Sequence, residues 1–168
     1  MTTPFDRRRT PAREDLAAAH LEGTIAAPRY VEGRRMRVID EAVALRASPA
    51  PDCGLDTQLL FGEDVIVYDV EEGWAWGQAL RDRYVGYMPA DSLVAATGAP
   101  THEVTAPRTF LYPAANMKMP ALGALSMEAR VHVCARQGDF AQLTSGLMGM
   151  ADGKQSFKRR LEALRDIA

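Results

Sequence analysis

From Arg37 onward the apolar residues fall in short runs: RVIDEAVALR, TQLLFGEDVIVYDV, GWAWGQAL and YVGYMP. The runs are rich in Val, Ile, Trp and Tyr. Pro49-Ala50-Pro51, Glu72-Gly73 and Arg81-Asp82-Arg83 separate them. This texture predicts several short strands joined by tight turns. Val65 and Val67 alternate with Ile66 and Tyr68, so both faces of that strand are apolar. Such a strand has cover on two sides, as in a small barrel.

The pattern then repeats. At an offset of about 66 residues Val38 meets Val104, Leu45 meets Leu111, and Leu59 meets Leu125. Val65 and Val67 meet Val131 and Val133, and Trp74-Ala75 meets Phe140-Ala141. Two copies of one all-β unit are expected, over residues 37–96 and 101–153, joined near Thr97-Gly98-Ala99-Pro100. The second copy replaces YVGYMPADSL with SGLMGMADG, so its last hairpin is expected to be shorter. Two helices complete the prediction. Thr10 as cap, Pro11 in the first turn and Glu14 and Asp15 near the start predict a short helix from Ala12 to His20, within an arm of residues 1–36. Phe157, Leu161, Leu164 and Ile167 recur at helical spacing, predicting an amphipathic helix over 154–168. That stripe suits docking on its own barrel or on a partner.

Composition narrows the function classes. The 168 residues are 47% apolar and 25% charged, ordinary for a globular protein. A net charge of −2 implies no general affinity for nucleic acid or an anionic membrane surface. Arg7-Arg8-Arg9, followed by Glu14 and Asp15, is read as a solvated basic arm. The first fifteen residues hold no apolar signal core, and no run is long enough to span a bilayer, so the expected location is the cytoplasm. Cys53 and Cys134 lie far apart outside any CxxC and are expected as free thiols, Cys134 as a small core filler. No metal-ligand cluster, Gly-rich phosphate loop or nucleophile elbow is present, so no cofactor is expected.

The runs Leu45-Arg46-Ala47-Ser48-Pro49, Leu60-Phe61-Gly62-Glu63, Gly73-Trp74 and Gly86-Tyr87-Met88-Pro89 resemble bacterial SH3 domains. The longer succession from Asp6 to Leu143 resembles the N-terminal half of cytoplasmic NlpC/P60 cysteine peptidases of the dipeptidyl-peptidase VI type. The resemblance implies a mainly β fold of two tandem SH3-like small barrels. It also implies a role in gating or holding cell-wall peptides of the L-Ala-D-Glu type. The family's catalytic Asp-Cys-Ser-Gly is absent. Asp52-Cys53-Gly54 lacks the serine and falls in a connecting loop, and His20, His102 and His132 fit no family histidine motif. A thiolate needs an imidazole within hydrogen-bond reach, so the chain is expected to be non-catalytic. An NlpC/P60 catalytic domain in trans is then the expected partner. An alternative role is an interaction module that docks a partner through the C-terminal helix.

Four residues stand out as candidate ligand contacts: Glu63, Tyr84, Trp76 and Tyr87. The resemblance places Glu63 and Tyr84 where the family holds the peptide's amino end, a carboxylate for the ammonium and a phenol for a directional hydrogen bond. Trp74, Tyr84 and Tyr87 are equally suited to filling a small core. Trp76 lies two residues from Trp74 on the same strand face, so the two indoles share the core or one faces a ligand.

Overall fold

The computed structural model of the chain describes residues 6–151 and 164–166. Two compact units divide it, one built on residues up to Leu59 and on Glu63–Ala96, the other on Leu60–Gly62 and the residues from Thr97 onward.

In the first unit β1 (Ala17–Ala18) and β2 (Tyr30–Val31) form a small parallel pair. Seven strands make the main sheet: β3 (Arg34–Val38), β4 (Ala42–Arg46), β5 (Leu55–Leu60), β6 (Asp64–Glu71), β7 (Trp74–Ala79), β8 (Val85–Pro89) and β9 (Leu93–Ala95). Their order is β5-β4-β8-β7-β6-β3-β9. Alternation decides what each strand buries. Val43 and Leu45 of β4, Val65 and Val67 of β6, and Ala75 and Ala79 of β7 join Val38, Leu59, Met88 and Leu93 in one core. The opposite face is also covered. Ile66, Tyr68, Trp76, Val85 and Tyr87 pack with Leu16, Ala18, Leu21 and Val31. The alternation in VIVY therefore reports two separate apolar clusters meeting across one strand. Each fully buried Val or Leu contributes about 1.5–3 kcal/mol of transfer free energy, which is why both faces are closed.

The cover on the second face comes from the N-terminal segment, and it corrects the helix expected over Ala12–His20. Pro11, Ala12 and Leu16–Ala18 are buried, and the chain reverses tightly instead of coiling. Arg13 N–H donates to the Leu16 carbonyl at 2.8 Å, Ala18 N–H donates to the Pro11 carbonyl at 2.8 Å, and Ala12 bridges Ala17. Only Ala19–Leu21 turns helically, as one 3-10 turn. The local helix signals lose to the chance of burying Leu16 and Ala18 against Trp76 and Tyr68, since propensity is the weaker force. The arginine run is exposed at its side chains, as expected of a solvated arm, yet its backbone is tied down. Val85 N–H donates to the Arg8 carbonyl at 2.7 Å, and Gln78 Nε2 donates to the Arg9 carbonyl at 2.9 Å.

The second unit contains β10 (His102–Val104), β11 (Arg108–Tyr112), β12 (Gly123–Ser126), β13 (Arg130–Val131), β14 (Val133–Gln137), β15 (Phe140–Leu143), β16 (Met148–Met150) and β17 (Leu164–Asp166). Five of them run in the order β12-β11-β16-β15-β14, and β10 sits between β13 and β17. Displaced along the chain, this is the order β5-β4-β8-β7-β6 with β3 between β6 and β9. Even the registers agree: Met36 faces Ala95 and Val38 faces Leu93, while His102 faces Asp166 and Val104 faces Leu164. Val104, Leu111, Leu125, Ala129, Val131 and Leu143 form the core, with Phe61 packed against it.

Three expectations need correction here. Among the described residues each sheet runs from edge to edge without closing, so the sheets are open rather than barrels. The helix expected over 154–168 is replaced at 164–166 by strand β17, and its remaining residues lie outside the described ones. Cys134 is exposed on β14, its Sγ–H donating to the Gln142 carbonyl at 3.4 Å, so it fills no core. Cys53 is half-buried, and both thiols are free.

Two details of backbone geometry explain otherwise arbitrary sequence. Glu72 and Gly73 both have positive φ, 48° and 80°, at the β6–β7 hairpin, where that handedness matches the strand twist. Gly86, in the GYMP run, lets β8 press on β4. A Cβ there would lie 2.5 Å from the Arg46 carbonyl oxygen and 3.0 Å from Leu45 Cγ.

Candidate functional site

The residues that attract attention are placed by cross-strand register. A β-bulge between Val67 and Asp69 shifts the β6–β7 pairing, so Asp69 faces Trp76 directly. Trp76 in turn faces Tyr87 of β8, and Tyr87 faces Arg46 of β4. Asp69, Trp76 and Tyr87 thus form a lateral row across three adjacent strands, on the face away from the main core. Bulges commonly re-aim a side chain in this way, and without this one Asp69 would fall out of the row.

Arg13 sits on that row. Its guanidinium carbon lies 5.0 Å from the centre of the Trp76 ring and 5.9 Å from that of Tyr87. Arg13 Nη2 pairs with Asp69 Oδ2, Nη1 donates to the Tyr87 hydroxyl at 3.4 Å, and Nε donates to Asp15 Oδ1 at 2.7 Å. Tyr68 backs the indole, its ring 5.7 Å away at 53°. Burial works to lower the Arg13 pKa, but the hydrogen bonds to Asp15 and Asp69 outweigh it and hold the group above its ordinary value. In return, the hydrogen bond from Arg13 lowers the Asp15 carboxyl below its ordinary 3.8. Burial raises the Tyr68 phenol.

Two grooves flank this contact. One, of about 480 Å³, is lined by Asp69, Glu71, Glu72, Trp74, Trp76 and Tyr87 among others. The other, of about 500 Å³, runs past Arg7, Arg8, Asp56, Trp76, Val85 and Tyr87. Both are also bounded by Arg13 and Glu14. Trp76 is nearly buried at 4% exposure yet borders both grooves, whereas Trp74 is half-buried and borders only the first.

Glu63 and Tyr84 have other surroundings. Glu63 is buried, 2% exposed, with its Oε1 paired to Arg81 Nη1 at 3.0 Å. Tyr84 is half-buried against the main core, with the Arg9 guanidinium 5.4 Å above its ring. The four residues predicted as ligand contacts therefore fall into two sets, Trp76 with Tyr87 at the grooves, and Glu63 and Tyr84 elsewhere. Arg13, Asp15 and Asp69 carry the groove contact and were missed, because Arg13 and Asp69 are 56 residues apart with no local motif to link them. The one local trace is the break of alternation at Tyr68-Asp69, where the bulge lies.

Two of the three histidines sit beside threonine hydroxyls away from the grooves. His102 lies 2.9 Å from the Thr101 hydroxyl and His132 lies 3.1 Å from the Thr144 hydroxyl. Among the described residues no group of three or more His, Cys, Asp or Glu side chains could hold a metal ion. Likewise no helix among them is long and apolar enough to cross a membrane.

The stretch from β4 through the start of β9 is where a family match falls. Residues 45–93 match the bacterial dipeptidyl-peptidase Sh3 domain. The matched stretch holds Trp76, Tyr87 and Asp69 as well as Glu63 and Tyr84. Among solved structures, the chain is similar to an NlpC/P60 family protein from Bacillus cereus. The likeness has a TM-score of 0.59 at 16% identity, over 79% of this chain and 56% of that one. NlpC2 and NlpC1 from Trichomonas vaginalis align at TM-scores of 0.34 and 0.34, with 15% and 16% identity. Those alignments cover 72% of this chain in each case, and 46% and 44% of the two relatives. The chain thus spans about half the length of these solved proteins, and the likeness to the Bacillus cereus protein, at 16% identity, is one of fold alone. No curated protein matches the chain.

Proposed function

We propose that the chain is a non-catalytic, tandem SH3-type accessory module of the kind found beside NlpC/P60 peptidase domains, and that it holds the amino end of a cell-wall-derived peptide for a catalytic domain. The match of residues 45–93 to the bacterial dipeptidyl-peptidase Sh3 domain carries this reading. The repeated strand order and register support the tandem part of it. In this reading the module works in the cytoplasm on peptides of the L-Ala-D-Glu type, with the catalytic domain supplied in trans or by a longer parent chain.

The amine subsite proposed is Glu63 with Tyr84. Arg81 occupies the carboxylate in the structure described, so a peptide ammonium must displace one cation with another. Glu63 is already buried, so the exchange trades one desolvated pair for another with little net gain, and weak binding by the module alone is the expected result. Closure by a catalytic domain would exclude water and strengthen the pair.

The test is an amide-resolved NMR titration with L-Ala-γ-D-Glu-diamino acid tripeptide, alone and with an NlpC/P60 catalytic domain. Shifts at Glu63, Arg81 and Tyr84, larger when the partner is present and absent in Glu63→Gln, are expected. A flat response at these residues in both conditions would sink the reading.

A further inference from the structure

We propose that the Asp69–Trp76–Tyr87 row is a recognition pocket for the guanidinium side chain of an arginine-bearing peptide, held closed in this conformation by the chain's own Arg13. The proposal stands apart from the amine subsite, since neither Glu63 nor Tyr84 lines either groove.

Geometry gives three reasons. First, the row is complementary to a planar cation. It presents two aromatic faces, a carboxylate aligned with them by the β6 bulge, and a phenol oxygen, and a guanidinium already satisfies all of these groups. A planar, weakly hydrated guanidinium stacks on rings and forks onto a carboxylate better than a compact ammonium does. Second, Arg13 is attached through a small element. Its backbone closes the Arg13–Leu16 reversal and its side chain is 19% exposed, while Leu16 and Ala18 carry the packing that anchors the segment. The guanidinium can therefore leave the row without unseating the residues that cover the sheet face. Third, the two grooves share Arg13, Glu14, Trp76 and Tyr87 as common walls, so the Arg13 side chain is a bar across one longer trough. The groove beyond it is acidic, lined by Asp69, Glu71 and Glu72 along with Trp74, and suits the rest of a cationic peptide.

A tethered side chain competes with free ligand at an effective concentration on the order of millimolar. Wild-type protein should therefore bind a free arginine peptide feebly, because its competent fraction is small. Removing the bar should reveal the site.

The experiment is isothermal titration of the full chain with acetyl-Gly-Arg-Gly-amide, and with the same peptide carrying neutral citrulline. R13A is expected to bind the arginine peptide about tenfold tighter than wild type or better, and to ignore the citrulline peptide. Adding D69N should abolish the gain. R13M, which keeps the aliphatic stem, guards against loss of packing. The proposal is overturned if folded R13A or R13M binds no tighter than wild type, or if citrulline binds equally well. Failure of both variants to fold overturns it too, because Arg13 would then be a structural anchor.

Discussion

At the scale of single residues, Arg13 illustrates how a side chain acquires its role from partners far along the chain. Its pairing with Asp15 also sets an acid sensitivity. The hydrogen bond from Arg13 depresses the Asp15 carboxyl, and the backbone N–H of Arg8 does the same for Asp6, each from an ordinary 3.8. A carboxyl depressed by folding contributes stability above its unfolded pKa, and that contribution disappears as pH falls through the lower, folded value. Urea unfolding of wild type should therefore show its midpoint dropping between about pH 4 and the low end of the carboxylate range. Asp15→Asn should flatten part of that drop while changing little at pH 7, since the residue is exposed and its pair is screened. An unaltered pH profile in Asp15→Asn would remove the pair from any stabilising role. Glu63 shows the converse. A carboxylate after a turn glycine reads as a surface group, yet it is buried against Arg81. Only the fold reveals that, because the residue that covers it lies at the far end of the next hairpin.

At the scale of elements, strands were legible and helices were not. β4, β6, β7 and β8 lie where the Val, Ile, Trp and Tyr runs predict them, because alternation of burial is written directly in residues such as Val43/Leu45 and Val65/Val67. The Ala12–His20 segment misled because Thr10, Pro11 and two early carboxylates are true helix-start signals that respond to local energetics alone. Small alanines there serve instead to let the segment lie close on Tyr68 and Trp76. Leu164–Asp166 misled for a related reason: a helical stripe was counted across residues whose partner, β10, is some 60 positions earlier. The β6–β7 turn was legible, and it carries a prediction. Glu72 holds a left-handed conformation at φ 48°, which costs a non-glycine residue about 1 kcal/mol and costs asparagine less. Glu72→Asn should raise stability by roughly 0.5 kcal/mol, read as an upward shift in thermal midpoint. A downward shift would mean that Glu72 earns its place through a contact rather than a turn.

At the scale of the whole molecule, the offset of about 66 residues seen in the sequence returns as matched strand order and matched register in the two units. Val65 and Val131 occupy equivalent positions, each fully or nearly buried, in cores with no residue in common. Val65→Ala and Val131→Ala should each cost roughly 2 kcal/mol, a transfer contribution plus a small cavity contribution. Because their neighbours differ, the double variant should lose the sum to within about 0.5 kcal/mol by circular dichroism in denaturant. A coupling well beyond that would show that the two cores are not energetically separate.

The placement of Trp74 and Trp76 within a single strand has a practical side. Every indole of the chain belongs to the first unit, so intrinsic emission watches that unit alone and is blind to the other. A melting curve followed by fluorescence can look cooperative and complete while the half from Thr97 onward has yet to be observed at all.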